Sequence, residues 1–273
     1  MRYVEIGESK EKLPIVGQGA WGIKRFRSKA FYEEWKASLR KGIELGLTHI
    51  DTAEFYGNGE SEKLIGEIIK EYDRDDLFIT SKLFPIHVRY ETMKRAAYKS
   101  LKRLGIKYLD LYLIHWPSNL ISIKKQMVVL EDLVREEKTR YVGVSNFSVN
   151  QFIEAQGYLK DCKLINNQLH VNLTFQKHLF RSLPYYKQNG ILMTAYSPLA
   201  HRGYTKIDSA LKIKLEKIAK NHNASIQQIA IAWLVNHDNV ITIPKAKQAI
   251  HTISNAEAAD IILSKDEIEL LYR

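Results

Sequence analysis

Apolar residues recur along the chain in eight short runs of β-branched and other strand-forming residues. They are Gly17–Trp21, entered from Leu13–Val16, then Leu47–Ile50, Leu77–Thr80, Leu109–Ile114, Tyr141–Val144, Leu164–Asn166, Ile191–Tyr196 and Val240–Ile243. Most are apolar at consecutive positions rather than at alternate ones, the pattern of a strand covered on both faces. Between them lie segments with apolar residues at helical spacing. The first, Phe31–Leu45, carries Phe31, Trp35, Leu39 and Ile43 on one side. Glu60–Ile69, Tyr90–Leu104, Lys124–Arg135, Asn150–Leu159, His178–Gln188, Ser209–His222 and Ser225–Asn236 follow, and Lys265–Arg273 reads as a last helix. Strand–helix repeats of this kind build either a doubly wound sheet or a closed barrel. A doubly wound sheet uses five or six strands, whereas a (β/α)8 barrel uses eight in about 250 residues. Eight runs in 273 residues predict an α/β protein with a (β/α)8 TIM barrel. Arg2–Gly17 would form a short N-terminal β-hairpin under the barrel floor. No Pro-, Gly- or Ser-rich linker divides residues 1–273, so one domain is expected.

Composition narrows the class. Hydrophobic residues are 45% and charged residues 26%, ordinary values for a packed globular chain. The single cysteine, Cys162, permits no internal disulfide and no cysteine metal cluster, which suits a reducing compartment such as the cytoplasm. Met1–Lys10 carries Arg2, Glu5 and Glu8 and lacks the apolar centre of a signal peptide. No run is long enough for a transmembrane helix. The net charge of +10 comes from 41 Lys and Arg against 31 Asp and Glu, spread along the chain. The densest groups, Lys24–Lys29 and Lys212–Lys220, read as solvated faces, and no nucleic-acid-binding pattern accompanies them. The nine histidines form no H-E-x-x-H pattern, so no metal is expected.

Gly17-Gln-Gly19-Ala-Trp-Gly22 fits G-x-G-x-x-G after a strand, the form of a dinucleotide fingerprint. No helical pattern opens at its later glycines, however, and the next acidic strand end, Asp51, lies too far downstream. The motif is read instead as a tight loop after the first strand.

In such a barrel, chemistry sits at the C-terminal ends of the strands. Asp51 ends the second run, Lys82 the third and His115 the fourth, and Tyr56 follows Asp51 on the next loop. A tyrosine with a lysine beside it is a proton donor whose phenolate the ammonium would favour, lowering its pKa. Asp51 would hold the lysine charged, and a neutral histidine would donate to a carbonyl oxygen. Such a group polarises and protonates a carbonyl but carries no reductant, so a hydride-carrying cofactor is required.

The string Asp51-Thr-Ala-Glu-Phe-Tyr56-Gly-Asn-Gly59-Glu-Ser-Glu62 strongly resembles the first signature of the aldo-keto reductases. The resemblance extends through Ile79–Lys82, Tyr112–Trp116, Val142–Phe147, Asn167-Gln168, Ala195–Leu199 and Ile243-Pro244-Lys245, from about Gly17 to Asn255. It implies a prokaryotic-type NAD(P)H-dependent aldehyde and ketone reductase that binds its cofactor extended on the barrel, without a Rossmann domain. Tyr56 would be the general acid, tuned by Lys82 and Asp51, with His115 orienting the carbonyl. Ser145, Asn146 and Gln168 would hold the nicotinamide carboxamide, and Tyr196 would stack on its ring. Ser197 and Leu199 would lie along the pyrophosphate. Lys245, Lys247, His251 and Asn255 would serve the adenosine end, and Trp21 and Trp116 would line the substrate pocket. His251 stands where the family often carries an arginine, yet Lys245 and Lys247 favour NADP(H), with NAD(H) possible. Leu169-His170-Val171-Asn172-Leu173 departs from the aromatic, histidine and proline common there, so His170 is not counted as a site residue. The short loop after His115, the modest one after Pro198 and the chain end after Arg273 imply an open pocket with broad aldehyde specificity. The resemblance implies a monomer acting on a small carbonyl substrate, with neither nucleic acid nor membrane as partner. The competing class within the family is a cofactor-bound sensor or structural protein without turnover, which would not need all four of Asp51, Tyr56, Lys82 and His115.

Overall fold

The computed structural model describes residues 1–7, 9–200, 204 and 207–273. β1 (Tyr3–Glu5) and β2 (Lys12–Pro14) pair antiparallel. The repeats follow as β3 (Gln18–Gly19), α1 (Lys29–Glu44), β4 (His49–Asp51), α2 (Glu60–Ile69), β5 (Phe78–Leu83), α3 (Tyr90–Leu104), β6 (Leu109–Ile114) and α4 (Ile123–Arg135). They continue as β7 (Thr139–Ser145), α5 (Val149–Tyr158), β8 (Leu164–His170), α6 (Lys177–Arg181), α7 (Leu183–Gln188), β9 (Leu192–Tyr196), α8 (Ser209–Asn221), α9 (Ile226–Val235), β10 (Val240–Thr242), α10 (Ala249–Glu257) and α11 (Lys265–Leu270).

The eight strands β3 to β10 lie side by side in chain order, all parallel. The last strand returns to the first. Gly17 donates to Thr242 O at 2.8 Å, Thr242 donates to Ile15 O at 2.9 Å, and Gly19 donates to Pro244 O at 3.1 Å. This closure is tight: a Cβ on Gly19 would stand 2.5 Å from Ile243 O, so only glycine lets the two backbones meet. The sheet is therefore curled into the expected (β/α)8 barrel, without free edges. Gly17, Gly19 and Gly22 lie in β3 and the loop behind it, and no helix begins before Lys29. The glycine motif serves barrel closure and a turn.

The hairpin seals the N-terminal end of the barrel. Ile6, Leu13, Ile15 and Val16 pack with Leu47, Phe78, Leu111, Leu192 and Ile241 in one buried cluster. Arg140 fastens it, bonding Glu11 at 2.6 Å and the buried Asp110 at 3.0 Å. Serines and an aspartate start the helices as expected for N-caps: Ser28, Ser122, Ser148, Asp208, Ser225 and Ser264 each accept from a first-turn N–H.

Two elements differ from the sequence pattern. The helix expected over 178–188 is split at Ser182 (φ −114°, ψ −41°), because Pro184 fits a first helical turn but not an interior. Residues 249–257, which carry no strong helical signal, form α10. It docks on α1, where Ser38 Oγ meets Thr252 Oγ1 at 2.6 Å and donates to Ala246 O at 2.8 Å. Much of the loop after Pro198 lies outside the described residues. Among the described residues no helix is long and apolar enough to cross a membrane.

Candidate active site

Asp51, at the end of β4, and Lys82, near the end of β5, are both almost fully buried. Lys82 Nζ donates to Asp51 Oδ1 at 2.5 Å and to Thr52 O at 2.8 Å, and it stands 3.5 Å from Tyr56 Oη, the outer limit of a hydrogen bond. Gln168 Nε2 donates to the second Asp51 oxygen at 2.7 Å. Burial pushes the Asp51 carboxyl up and the Lys82 ammonium down, each toward its neutral form, and their mutual attraction opposes both shifts.

Tyr56 begins a tight turn, Tyr56–Gly59, in which Gly57 and Asn58 have φ of 59° and 54°. A Cβ on Gly57 would come within 2.6 Å of Ile23 O, so the turn that presents the phenol demands glycine there. The phenol behaves differently from the sequence expectation. Burial first, and the Asp51 charge second, hold its pKa well above 10. Lys82 makes its short contact with Asp51 and stands at 3.5 Å from the phenol oxygen, so its ammonium does not offset that burial. Tyr56 is thus held as a protonated donor.

His115 follows β6, and its ring meets the Tyr56 ring edge-on, with centroids 5.8 Å apart. Phe84 packs against its other side at 5.9 Å. Burial and the nearby Lys82 depress the imidazole to about 3, so it is neutral at ordinary pH. Its Nδ1 is enclosed and has no hydrogen-bond partner among the described residues.

A polar cluster forms the adjoining wall. Ser145 Oγ donates to Gln168 O at 2.9 Å, Asn146 Nδ2 donates to His115 O at 3.0 Å, and Tyr196 Oη donates to Asn146 Oδ1 at 2.8 Å. Asn146 and Ser197 adopt left-handed φ values of 63° and 53°, strain of the kind concentrated at functional sites. These groups surround a cavity of about 590 Å³ that also takes in Trp21, Trp116, Leu199 and Lys245. Lys82 lies beneath it.

A second groove of about 1170 Å³ shares Trp21, Tyr56, Leu199 and Lys245 with the first and continues past Lys247, His251 and Asn255. Lys24 and Arg27 also line it, so this part of the basic 24–29 group faces the groove from the loop before α1. Lys245 Nζ lies 4.5 Å above the Trp21 ring. The groove also meets the start of α10, whose Gln248 cap makes no side-chain hydrogen bond. Four cations and a helix N-terminus suit phosphates, and the amide cluster at the inner end suits a carboxamide. The donor set therefore fits a phosphorylated nicotinamide dinucleotide lying from cavity to groove.

Every site residue expected from the sequence lies at one of these two depressions or directly beneath them. Sequence reasoning missed the Phe55–Phe84 stack at the mouth, with centroids 4.1 Å apart, and the role of His170. His170 stacks between Tyr196 and Phe175, at 5.3 and 4.9 Å, and lines the cavity. The available signal was the placement of Phe55 beside Tyr56 and of His170 two residues after Gln168. Among the described residues no three His, Cys, Asp or Glu side chains gather as metal ligands.

The chain is similar to known proteins over nearly its whole length. The model of the Aldo/keto reductase family matches residues 15–272. Methylglyoxal reductase YeaE of Escherichia coli is 36% identical, the match covering 95% of this chain and 90% of that protein. Glyoxal reductase of Bacillus subtilis is 39% identical, over 94% of this chain and 87% of its own length. The thermostable aldo-keto reductase Tm1743, solved with the inhibitor epalrestat, superposes with a TM-score of 0.93 at 40% identity, covering 99% of this chain and 98% of its own. An aldo/keto reductase from Klebsiella pneumoniae, solved with NADP and acetate, gives 0.89 at 34% identity over 98% of this chain and 93% of its own. With its barrel, strand-end cluster and full-length match, this chain belongs to the aldo/keto reductase family.

Proposed function

We propose that the chain reduces aldehydes and related carbonyls to alcohols with a hydride from NADPH, Tyr56 supplying the proton. The observation that carries this reading is the placement of a half-buried Tyr56 against the Asp51–Lys82 pair and the His115 ring on one cavity wall.

The nicotinamide cofactor supplies the hydride when bound. The carbonyl carbon gains that hydride, the C=O electron pair moves to oxygen, and Tyr56 gives the oxygen its proton. His115, neutral, donates a hydrogen bond that fixes the oxygen beside the phenol. Lys82, held by Asp51 and Thr52 O, stabilises the phenolate left behind until solvent returns the proton. Ser145, Asn146 and Gln168 hold the carboxamide. Tyr196, tied by Asn146 and backed by His170, offers its ring for stacking. Ser197 and Leu199 line the pyrophosphate, and Lys245, Lys247, His251 and Asn255 take the adenosine end. The cations of the groove favour NADPH over NADH.

Trp21 and Trp116, exposed at the mouth, form an aromatic wall with Phe55 and Phe84. This aromatic lining suits small uncharged aldehydes, including the dicarbonyls for which YeaE and the Bacillus enzyme are named. Specificity is broad. Residues 1–273 act as one barrel unit, a monomer in the cytoplasm.

The test is NADPH consumption with an aromatic aldehyde and with methylglyoxal, wild type beside Tyr56→Phe. Turnover that falls by roughly 10²–10⁴ in the variant is expected. Tight NADPH binding by the wild type without turnover of any aldehyde would move the chain to the non-catalytic class.

A further inference from the structure

We infer that Glu34 sets the discrimination between NADPH and NADH by holding Lys247 away from the cofactor phosphate; this rests on the cofactor placement proposed above. The groove beyond the cavity is lined by Lys24, Arg27, Lys245 and Lys247. These cations are not equivalent. Lys245 lies against the Trp21 ring, and Arg27 stands 6.0 Å from the Phe31 ring. Lys247 alone of the four makes an ion pair with a carboxylate among the described residues, and its partner is Glu34 Oε2 on α1. Its ammonium also lies 5.4 Å from the Phe31 ring, on the wall of the groove. Glu34 is not part of that lining, and both side chains are partly exposed.

The pairing presents Lys247 with a choice. A phosphate dianion entering the groove competes with one carboxylate for one ammonium, and the carboxylate left behind repels the newcomer. A dinucleotide without the extra phosphate asks nothing of Lys247 and leaves the pair intact. Glu34 therefore weakens binding of the phosphorylated cofactor alone and narrows the preference that the basic groove would otherwise impose. An exposed pair is weak enough to exchange, so the carboxylate tunes the preference and does not abolish it.

The experiment measures dissociation constants for NADPH and NADH by quenching of protein fluorescence, in wild type, Glu34→Gln, Lys247→Met and the double variant. Glu34→Gln should tighten NADPH by about three- to fivefold and leave NADH within about twofold. Lys247→Met should weaken NADPH, and adding Glu34→Gln to it should then change little. The inference is overturned if Glu34→Gln leaves NADPH unchanged, or tightens both cofactors alike, or acts as strongly without Lys247. Failure of the wild type to bind either cofactor would overturn the underlying cofactor placement as well. Normal NADPH binding with a silent Glu34→Gln defeats the inference about Glu34 alone.

Discussion

Lys82→Met removes the cation from a pair that has almost no access to water. The two groups are 2.5 Å apart with side-chain exposures of 0% and 1%. Asp51 would keep only the Gln168 amide, at 2.7 Å, as a side-chain partner. Leaving one member of a buried pair uncompensated costs about 3–5 kcal/mol. At about 2–4 °C per kcal/mol for a large domain, melting should fall by on the order of 10 °C. The loss depends on pH with a definite sign. Burial already raises the Asp51 pKa, and without Lys82 it rises further above the value in the unfolded chain. The folded variant then binds more protons than the unfolded one. Its deficit relative to wild type is complete above the folded pKa and shrinks as the pH falls through that value. Asp51→Asn combined with Lys82→Met leaves no buried charge and should recover much of the loss. Urea unfolding of the three proteins at pH 7.5 and at pH 5 measures all of this. A single variant within about 1 kcal/mol of wild type at both pH values, or a double variant less stable than the single, would refute the reasoning.

Two further predictions concern titration. With His115 held at about 3 and Tyr56 well above 10, both are in their working forms across neutral pH. The value of kcat/KM for reduction should therefore be flat from about pH 5 to about pH 9; an acid limb near pH 6.5 would show a charged His115 in the resting enzyme. His49, buried in the barrel with Nε2 3.0 Å from Thr80 Oγ1, is also depressed to about 3. Folded pKa values below the unfolded value of about 6.5 mean that both histidines support the fold fully above that pH and lose this support as the pH falls toward 3. The expected loss is on the order of 4 kcal/mol each. Urea midpoints between pH 7 and pH 4 should fall steeply, and less so in His49→Asn; equal slopes in the two proteins would contradict the assignment.

The sequence carried the barrel because its strands are apolar on both faces and need little from their neighbours to be legible. The catalytic candidates were legible because Asp51, Lys82 and His115 interrupt three successive runs at the same place, the C-terminal end of a strand. α10 was not, since Ile250 faces outward and the helix is tied to α1 by Thr252 meeting Ser38 rather than by a side-chain N-cap of its own. The break at Ser182 turned on one proline. The direction of the Tyr56 shift was missed because burial, with the Asp51 charge behind it, outweighs the nearby ammonium, and spacing along the chain does not encode burial. Phe55 with Phe84, and His170 with Tyr196, meet across adjoining strand ends, so neither pairing appears as a local pattern.

The central claim is that Tyr56 gives a proton to the reacting oxygen and does nothing else essential. The direct measurement pairs NADPH dissociation constants with single-turnover rates for wild type and Tyr56→Phe, using one aromatic aldehyde. Cofactor affinity should stay unchanged within about twofold, with the rate lower by roughly 10²–10⁴. A variant that reduces the aldehyde within about tenfold of the wild-type rate would contradict it, because the phenol would then not be the acid.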